Sequence, residues 1–282
     1  MTKNKEGGIY DVMKREEALK NYHGIDEVVW AAELKTELLQ RAKEVPEVSM
    51  KFGFPTLDQN IHYAMGGELV IISGPTKQGK TLLAQTFTRN FFAQGVGSLW
   101  FSYEVPGLQF LQQFGDKLPS FTLPKVLKES SYPWIIDRIY EAKLKYGIQA
   151  VFIDNTQNVL NLMSHQLAQL MGEFVKAVKR TAIELNIVMF LLHHFTKVRL
   201  DDNEAMDSSL MRDSSLIAQT ADTVLLVRRD KDQVLHPKKS YIKVTENRRF
   251  GVMNLVVPMQ KVGYYLEEAS DDEREQPDYH DR

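Results

Sequence analysis

The 282-residue sequence contains no cysteine. This absence excludes disulfide bonds and thiolate metal sites, and it fits a reducing compartment. The sequence also has no apolar run approaching the roughly 20 residues that a membrane-spanning helix needs. Its first ten residues, MTKNKEGGIY, lack the apolar core of a secretory signal peptide. Together these absences predict a cytoplasmic protein without a membrane partner.

A surplus of positive charge is missing as well. Lysine and arginine total 35 against 37 aspartate and glutamate residues, for a formal net charge of −2. A protein that bound nucleic acid over its whole surface would be basic, so any nucleic-acid site in this chain must be local. The apolar fraction of 43% is sufficient for a core. Residues 268–282 are acidic and almost free of aliphatic residues, which predicts a disordered tail.

Residues 68–81, ELVIISGPTKQGKT, carry the first chemical signal. An apolar run typical of a buried parallel strand leads directly into the G-x-x-x-x-G-K-[ST] pattern of a phosphate-binding loop. Glycines let the backbone turn its N–H groups toward phosphate oxygens, and the helix that follows adds the positive end of its dipole. The pattern predicts ATP and Mg²⁺ binding, with Lys80 on the β- and γ-phosphates and Thr81 on the metal. The predicted loop residues are Gly74, Pro75, Thr76, Lys77, Gln78, Gly79, Lys80 and Thr81.

Two further apolar runs end at an acid. SLWFS, residues 98–102, is followed by Tyr103 and Glu104, and AVFID ends in Asp154. Ligands bind at the carboxyl ends of the strands in an open parallel sheet. Beside a phosphate loop, Asp154 is the expected second ligand group of a magnesium site. Glu104 is equally compatible with the start of a solvated loop, and Gln157, a candidate γ-phosphate sensor, with an amide that satisfies backbone groups.

The order of strands and helices predicts an α/β fold with a mostly parallel central sheet flanked by helices. Three later runs, SYIKVTEN, VMNLVVPM and VGYYLEE, predict an antiparallel extension. Residues 25–43 have apolar residues at helical spacing and are separated from the phosphate loop by a connecting segment. This amphipathic helix either folds back on its own domain or docks on a neighbouring subunit. The predicted domains are an amino-terminal segment (1–48), an ATPase domain (49–267) and the tail (268–282).

Seven segments between residues 52 and 251 share a pattern when taken in order. They are FGFPTLD, GGELVIISGPTKQGKT, SLWFSYEVP, AVFIDNTQ, LLHHFTK, MRDSSLIAQTADTVLLVRRD and TENRRFG. Together they resemble the ATPase domain of DnaB-like replicative helicases, a branch of the RecA-like motors. The phosphate loop is shared with many ATPases, whereas the pattern R-[DE]-S-x-x-I-x-Q-x-A-D at residues 212–222 is far more specific.

The resemblance implies a RecA-like fold and a DNA-stimulated ATPase that assembles into a hexameric ring. It also implies single-stranded DNA and a primase or loader protein as partners. Carried over residue by residue, it assigns activation of the attacking water to Glu104 and water-mediated coordination of Mg²⁺ to Asp154. Gln157 is expected to couple the nucleotide state to the DNA-facing loops. His194 stands at the position of a γ-phosphate sensor.

The segment NRRFG occupies the place of a Lys-x-Arg pair that, in the family, reaches into the active site of a neighbouring subunit. Either Arg248 or Arg249 is the expected arginine finger. If the finger is Arg248, the lysine position holds Glu246; if it is Arg249, that position holds Asn247. The second cation of the pair is absent in both alignments.

The loop after the fourth strand faces DNA in the relatives. Its candidate DNA-binding residues here are Lys197, Arg199 and Arg212, but acids accompany them at positions 201, 202, 204 and 207. We therefore expect a ring motor that acts as a replicative DNA helicase. The alternatives are a RecA- or RadA-like recombinase and a slow nucleotide-binding assembly or regulatory ATPase, which the acidic loop and the missing lysine favour.

Overall fold

The computed structural model describes residues 14–24, 26–44, 47–127, 132–159, 167–194, 215–229 and 239–269. The chain divides into two units, Met1–Glu47 and Val48–Arg282. Among the helices of the described ranges, none is long and apolar enough to span a membrane.

The amino-terminal unit contains helix α1, which includes residues 14–20, and helix α2, Ala31–Glu44. The helix predicted from residue 25 starts later than expected, because residues 26–30 are not helical. Two adjacent valines in that stretch are β-branched and lose side-chain freedom in a helix, which favours a later start. The apolar side chains of α2 that carry the predicted stripe are exposed: Leu34, Leu38 and Leu39. Docking of this helix on a neighbouring subunit stays a prediction.

The second unit is built on an eight-stranded sheet with the strand order β10-β9-β8-β7-β3-β6-β5-β4. A separate antiparallel pair, β1–β2, precedes it. The strands are β1 Ser49–Met50, β2 Ala64–Met65, β3 Leu69–Gly74, β4 Ser98–Ser102, β5 Ala150–Asp154, β6 Val188–His194, β7 Thr223–Arg229, β8 Lys239–Asn247, β9 Leu255–Val262 and β10 Tyr265–Glu268.

Five neighbouring strands, β7-β3-β6-β5-β4, run parallel to one another. Strands β8, β9 and β10 continue the sheet beside β7 in antiparallel order. The apolar runs of β3, β4 and β5 are buried along their whole length, as parallel strands with helices on both faces must be. The predicted mostly parallel sheet with an antiparallel extension is confirmed.

Helices cover both faces of this sheet. They are α3 Pro55–Asn60, α4 Lys80–Ala93, α5 Gly107–Gln112, α6 Tyr132–Tyr146, α7 Thr156–Val159, α8 Leu167–Leu185 and α9 Ser215–Thr220. Successive side chains of a strand point to opposite faces. Val70 and Ile72 of β3 accordingly join the apolar cluster that contains α4, while Leu69 and Ile71 join the cluster that contains α6 and α8.

Asp222, the last residue of the pattern at 212–222, fixes the amino end of β3. Its Oδ2 accepts a hydrogen bond from the backbone N–H of Leu69 at 2.7 Å and another from Lys179 Nζ at 2.5 Å. Its backbone carbonyl accepts a hydrogen bond from the N–H of Arg248 at 2.9 Å. Asp222 therefore ties together β3, α8 and the turn that follows β8.

The apolar run IVMFLL at residues 187–192 predicts a strand that leads into a polar loop, but β6 extends further, to His194. It pairs with β3 as far as the register Gly74–His194, so both histidines lie at the end of the sheet rather than in the following loop.

At the other end of the chain, β10 includes Glu268, whose carboxylate accepts the N–H of Thr56 at 2.9 Å, and Ala269 is buried. These two residues belong to the folded unit, although the sequence assigned them to the tail.

Candidate nucleotide-binding site

A cavity of about 600 Å³ lies at the carboxyl ends of the parallel strands. Residues 77–82, from the phosphate loop and the first turn of α4, line it together with Glu104 and His194. Glu104 follows β4 and His194 ends β6, while Asp154 ends β5 between them. The sheet order therefore brings the predicted loop and the predicted polar strand ends to one site.

Two glycines allow the tight phosphate loop. Gly74 has φ +148°, and a Cβ atom there would stand 2.4 Å from the carbonyl oxygen of Val227 in β7. Because a backbone atom of the sheet blocks that space, no residue with a side chain fits at this position. Gly79 has φ +99° and immediately precedes α4. The helix therefore begins at Lys80 and directs the positive end of its dipole to the loop.

Lys80 is buried under the loop. Its Nζ donates hydrogen bonds to the carbonyl oxygens of Gly74 at 2.9 Å and Pro75 at 2.8 Å. Burial lowers the pKa of Lys80 to about 8, against the opposing attraction of Asp154 and then Glu104. The ammonium group is therefore mainly charged at neutral pH and lies inside the loop that is predicted to hold phosphate.

Thr81 and Asp154 form the candidate magnesium site. Thr81 Oγ1 donates to Asp154 Oδ2 at 2.6 Å. The other carboxylate oxygen, Oδ1, is buried and has no hydrogen-bond partner in the described part of the chain. Burial raises the pKa of Asp154 to about 6, although the hydrogen bond from Thr81 opposes the shift. A hydroxyl beside a carboxylate with a free lone pair fits a hydrated Mg²⁺ ion, which prefers oxygen ligands and retains water.

The carboxylate of Glu104 projects into the cavity and lies close to His194. Its Oε2 is 3.7 Å from His194 Nε2, and 41% of the Glu104 side chain is exposed. Burial, followed by the charge of Lys80, lowers the pKa of His194. A largely neutral imidazole and an accessible carboxylate thus face the space beside the phosphate loop.

His193 lies in β6 rather than in the predicted loop, and from a buried position it connects β6 to β3 and to helix α7. Its Nδ1 shares a hydrogen bond of 2.9 Å with Thr156 Oγ1, and its backbone carbonyl accepts one of 3.1 Å from Ser73 Oγ. Burial lowers the pKa of His193 to about 4, with smaller contributions from His194 and Lys80. The imidazole ring is therefore neutral at physiological pH, and its hydrogen bond with Thr156 joins β6 to α7.

Several lining residues could not be recognised from the sequence. Arg229 ends β7, and Lys261 and Tyr264 come from β9 and the turn after it. Gln85 Nε2 donates to Gln113 Oε1 at 2.9 Å on another wall. Only Gln85 had a local signal, because it stands one helical turn after Thr81 on the same face of α4. The other four reach the cavity through strand pairing and loop packing that no local pattern encodes.

The two candidate arginine fingers have different surroundings. Arg249 donates from Nε to Glu68 Oε1 at 3.0 Å, forms a second contact with the same oxygen, and donates from Nη2 to the carbonyl of Tyr63 at 3.2 Å. Arg248 is exposed and donates to the backbone carbonyl of Gln219. Neither arginine lines the cavity of its own chain.

The side chains of four other predicted site residues lie outside the described part of the structure. Gln157 lies in helix α7, directly after Thr156, but its side chain is not among those described. Lys197, Arg199 and Arg212 lie outside the described residues. Their proposed contacts with DNA stay predictions.

The parallel sheet, the phosphate loop after β3 and the antiparallel strands beyond β7 define the fold as that of a RecA-like P-loop NTPase. Comparison with solved structures agrees. A solved ATPase domain matches with a TM-score of 0.71 at 16% identity, covering 86% of this chain and 100% of that domain. A second match is a DnaB-like replicative helicase, from a study of its structure and its interactions with primase. Its TM-score is 0.67 at 16% identity, and the match covers 93% of this chain and 71% of that one.

The RadB recombinase matches with a TM-score of 0.58 at 15% identity, covering 78% of this chain and 100% of that chain. No protein-family model matches the sequence. At these identities the likeness establishes the fold. The resemblance to the DnaB-like ATPase domain that the sequence motifs indicated is confirmed at that level.

Proposed function

We propose that this protein is an ATP-hydrolysing ring motor that acts in the cytoplasm as a replicative helicase on single-stranded DNA. The observation that carries the proposal is the convergence of Lys80, Thr81 and Glu104 on one cavity, with Asp154 hydrogen-bonded to Thr81. They supply a cation for phosphate, a hydroxyl and a buried carboxylate for a metal, and an accessible carboxylate for water. The structural likeness to a DnaB-like replicative helicase supports the assignment to that kind of motor.

In the proposed mechanism, Lys80 exchanges its contacts with two loop carbonyls for oxygens of the β- and γ-phosphates. The amino end of α4 adds its dipole to the same anion. Glu104 accepts a proton from the attacking water, because a carboxylate on the cavity wall is a suitable general base. His194 donates a hydrogen bond to the γ-phosphate. The charge that develops on the phosphate is thus met by groups that the fold already holds beside the loop.

Thr81 and Asp154 would hold the magnesium ion of this site, Asp154 through water. When bound, Mg²⁺ would neutralise part of the charge on the β- and γ-phosphates. The hydrogen bond between Thr81 and Asp154 keeps hydroxyl and carboxylate side by side. Asp154 is mainly ionised at neutral pH, because its raised pKa is still about 6.

Replacement of Lys80 by alanine tests the nucleotide site. We expect kcat/KM for ATP to fall by about 100-fold or more, because the buried cation on the transferred phosphate is lost. Thermal unfolding should change little, since the side-chain hydrogen bonds of Lys80 within the described residues go to two loop carbonyls. The matched control is Lys51→Ala, which removes the same charge from an exposed residue that does not line the cavity. Unchanged turnover in Lys80→Ala would refute the phosphate-loop assignment.

Tyr264 is the aromatic group proposed to stack on the adenine base. It lines the cavity, and a Cβ atom at Gly115 would stand 2.4 Å from its ring, so the glycine makes room for the ring. Tyr264→Ala should raise KM for ATP by about 10-fold, the scale of a lost base–aromatic stack. Tyr264→Phe should behave as the wild type because it keeps the ring. Equal losses in both variants would assign the effect to the hydroxyl instead.

Lys197 and Arg199 are proposed to bind the DNA backbone. The double alanine variant should weaken ATP-dependent binding of single-stranded DNA and reduce the slope of log K against log salt by about 1.4, because two phosphate contacts are lost. Fluorescence anisotropy with a labelled oligonucleotide over a salt series measures both effects. The control is the double variant Lys43→Ala, Lys51→Ala, which removes two exposed positive charges elsewhere. An unchanged slope would contradict the assignment of this loop to DNA.

A slow nucleotide-binding regulatory ATPase is the second candidate. It is favoured by the absence of a lysine beside the finger arginine and by the ion pair that occupies Arg249 within its own chain. The ATPase rate with and without single-stranded DNA, on protein whose mass is measured in the same buffer, separates the two. The ATPase rate of a ring motor rises when single-stranded DNA is added, whereas the rate of a regulatory protein does not. Electron micrographs of the DNA complex would distinguish rings from the filaments of a recombinase.

A further inference from the structure

Two nitrogen atoms lie beside the same carboxylate oxygen of Glu104, Oε2. Asn155 Nδ2 donates to Glu104 Oε2 at 3.5 Å, and His194 Nε2 lies 3.7 Å from that oxygen. The three residues follow or end β4, β5 and β6, which are neighbours in the sheet. The other oxygen, Oε1, is thus the carboxylate atom left for the attacking water.

Glu104 and Asn155 differ in how firmly the fold holds them. Glu104 lies two residues beyond the end of β4, and 41% of its side chain is exposed. A glutamate side chain in that setting has several rotamers, and only some of them direct the carboxylate to the cavity. Asn155 directly follows β5 and is only 4% exposed. The buried side chain of Asn155 has few alternative rotamers, and it can therefore favour one orientation of the more exposed side chain of Glu104.

The chemistry at position 155 suits this task. Asn155 follows Asp154 in the chain and its amide contacts the carboxylate of Glu104, so a third acid there would add repulsion. An amide brings an N–H donor without a charge, and a carboxylate in its ionised form only accepts. A neutral donor at this point can thus orient Glu104 while leaving the charges of the metal site unchanged.

We infer that Asn155 is a positioning residue for the catalytic carboxylate: it holds Oε2 of Glu104 so that Oε1 faces the attacking water. The assignment rests on the proposed role of Glu104 and deepens it. The contact of 3.5 Å is long, and hydrogen bonds of catalytic groups commonly shorten when substrate is bound. Asn155 contributes to kcat through the geometry of Glu104, and it does not contribute to the affinity for ATP.

The test is a double-mutant cycle between positions 155 and 104. Asn155→Leu keeps the branched shape and removes the donor, so we expect kcat to fall about 10- to 100-fold, the scale of a misoriented catalytic group, with KM for ATP unchanged. In the Glu104→Gln background the same substitution should have no further effect, because the group it orients is already inactive. Asn155→Ala, which removes the amide without adding apolar bulk, should show the same pattern if the leucine variant does not fold.

The outcomes separate this assignment from the function on which it rests. A wild-type protein without ATPase activity overturns both. An active wild type together with unchanged kcat in Asn155→Leu and Asn155→Ala overturns the positioning role alone. Equal losses in the wild-type and Glu104→Gln backgrounds, or a raised KM with unchanged kcat, also overturn it, because Asn155 would then act independently of Glu104 or on nucleotide binding.

Discussion

Replacement of Arg248 by alanine is expected to lower kcat for ATP hydrolysis about 10³-fold, as loss of an arginine finger does in related phosphoryl-transfer enzymes. The expectation starts from sheet geometry. Arg248 follows Asn247, which pairs with Thr223, and Thr223 pairs with Val70 at the start of β3. Gly74 lies four residues further along β3, or about 13 Å at the rise of a strand. Arg248 therefore lies near the amino ends of the parallel strands, whereas the phosphate loop of its own chain lies at their carboxyl ends.

A neighbouring subunit must supply the finger if this arginine acts in catalysis. We expect activity to reappear when Lys80→Ala subunits are mixed with Arg248→Ala subunits. At equal mixing about a quarter of the head-to-tail interfaces then combine an intact loop with an intact finger. Native mass spectrometry should confirm that the subunits have exchanged before the ATPase rate is measured.

Arg249→Ala is the matched control for Arg248→Ala. Arg249 pairs with Glu68 and the carbonyl of Tyr63 in its own chain, so its loss leaves a largely buried carboxylate without its partner. We expect a loss of roughly 1–3 kcal/mol in the free energy of unfolding and no complementation in mixtures with Lys80→Ala. If Arg249→Ala rather than Arg248→Ala is rescued by mixing, the finger is Arg249. If neither is rescued in exchanged rings, a finger acting between subunits is refuted.

Replacement of Glu104 by glutamine is the second large effect. We expect the single-turnover rate of hydrolysis to fall about 10³-fold, because the group that takes the proton from water is removed. The affinity for ATP should stay that of the wild type, since glutamine has the same size and the phosphate contacts belong to Lys80 and the loop. The variant should therefore accumulate bound, unhydrolysed ATP, which a quenched reaction on radiolabelled nucleotide detects.

The control for this variant is Glu267→Gln, which neutralises an exposed carboxylate on β10. It should hydrolyse ATP at the wild-type rate. If Glu104→Gln retains hydrolysis, Glu104 is not the general base. If it loses affinity for ATP together with hydrolysis, the carboxylate contributes to the binding of nucleotide or metal instead.

The sequence by itself determined the parts of this protein whose information is local. The phosphate loop was predictable because strand, loop and helix are consecutive between Leu69 and Ala93, and because glycine is the one residue that tolerates the backbone at Gly74. The buried strands were predictable as apolar runs. Glu104 and Asp154 were found because an acid at the carboxyl end of a parallel strand falls at the ligand-binding edge of the sheet.

Tertiary structure decided what depends on distant partners. Arg248 and Arg249 are adjacent in sequence, and only the packing of Glu68, 181 residues from Arg249, distinguishes the paired one from the exposed one. His193 belongs to a strand rather than a loop because β3 pairs with β6 as far as their last residues. Tyr264 reaches the cavity because β8 and β9 extend the sheet beyond β7. A strand's own residues set its burial pattern, but its neighbours in the sheet are chosen by packing over the whole chain, and those neighbours determine which side chains meet.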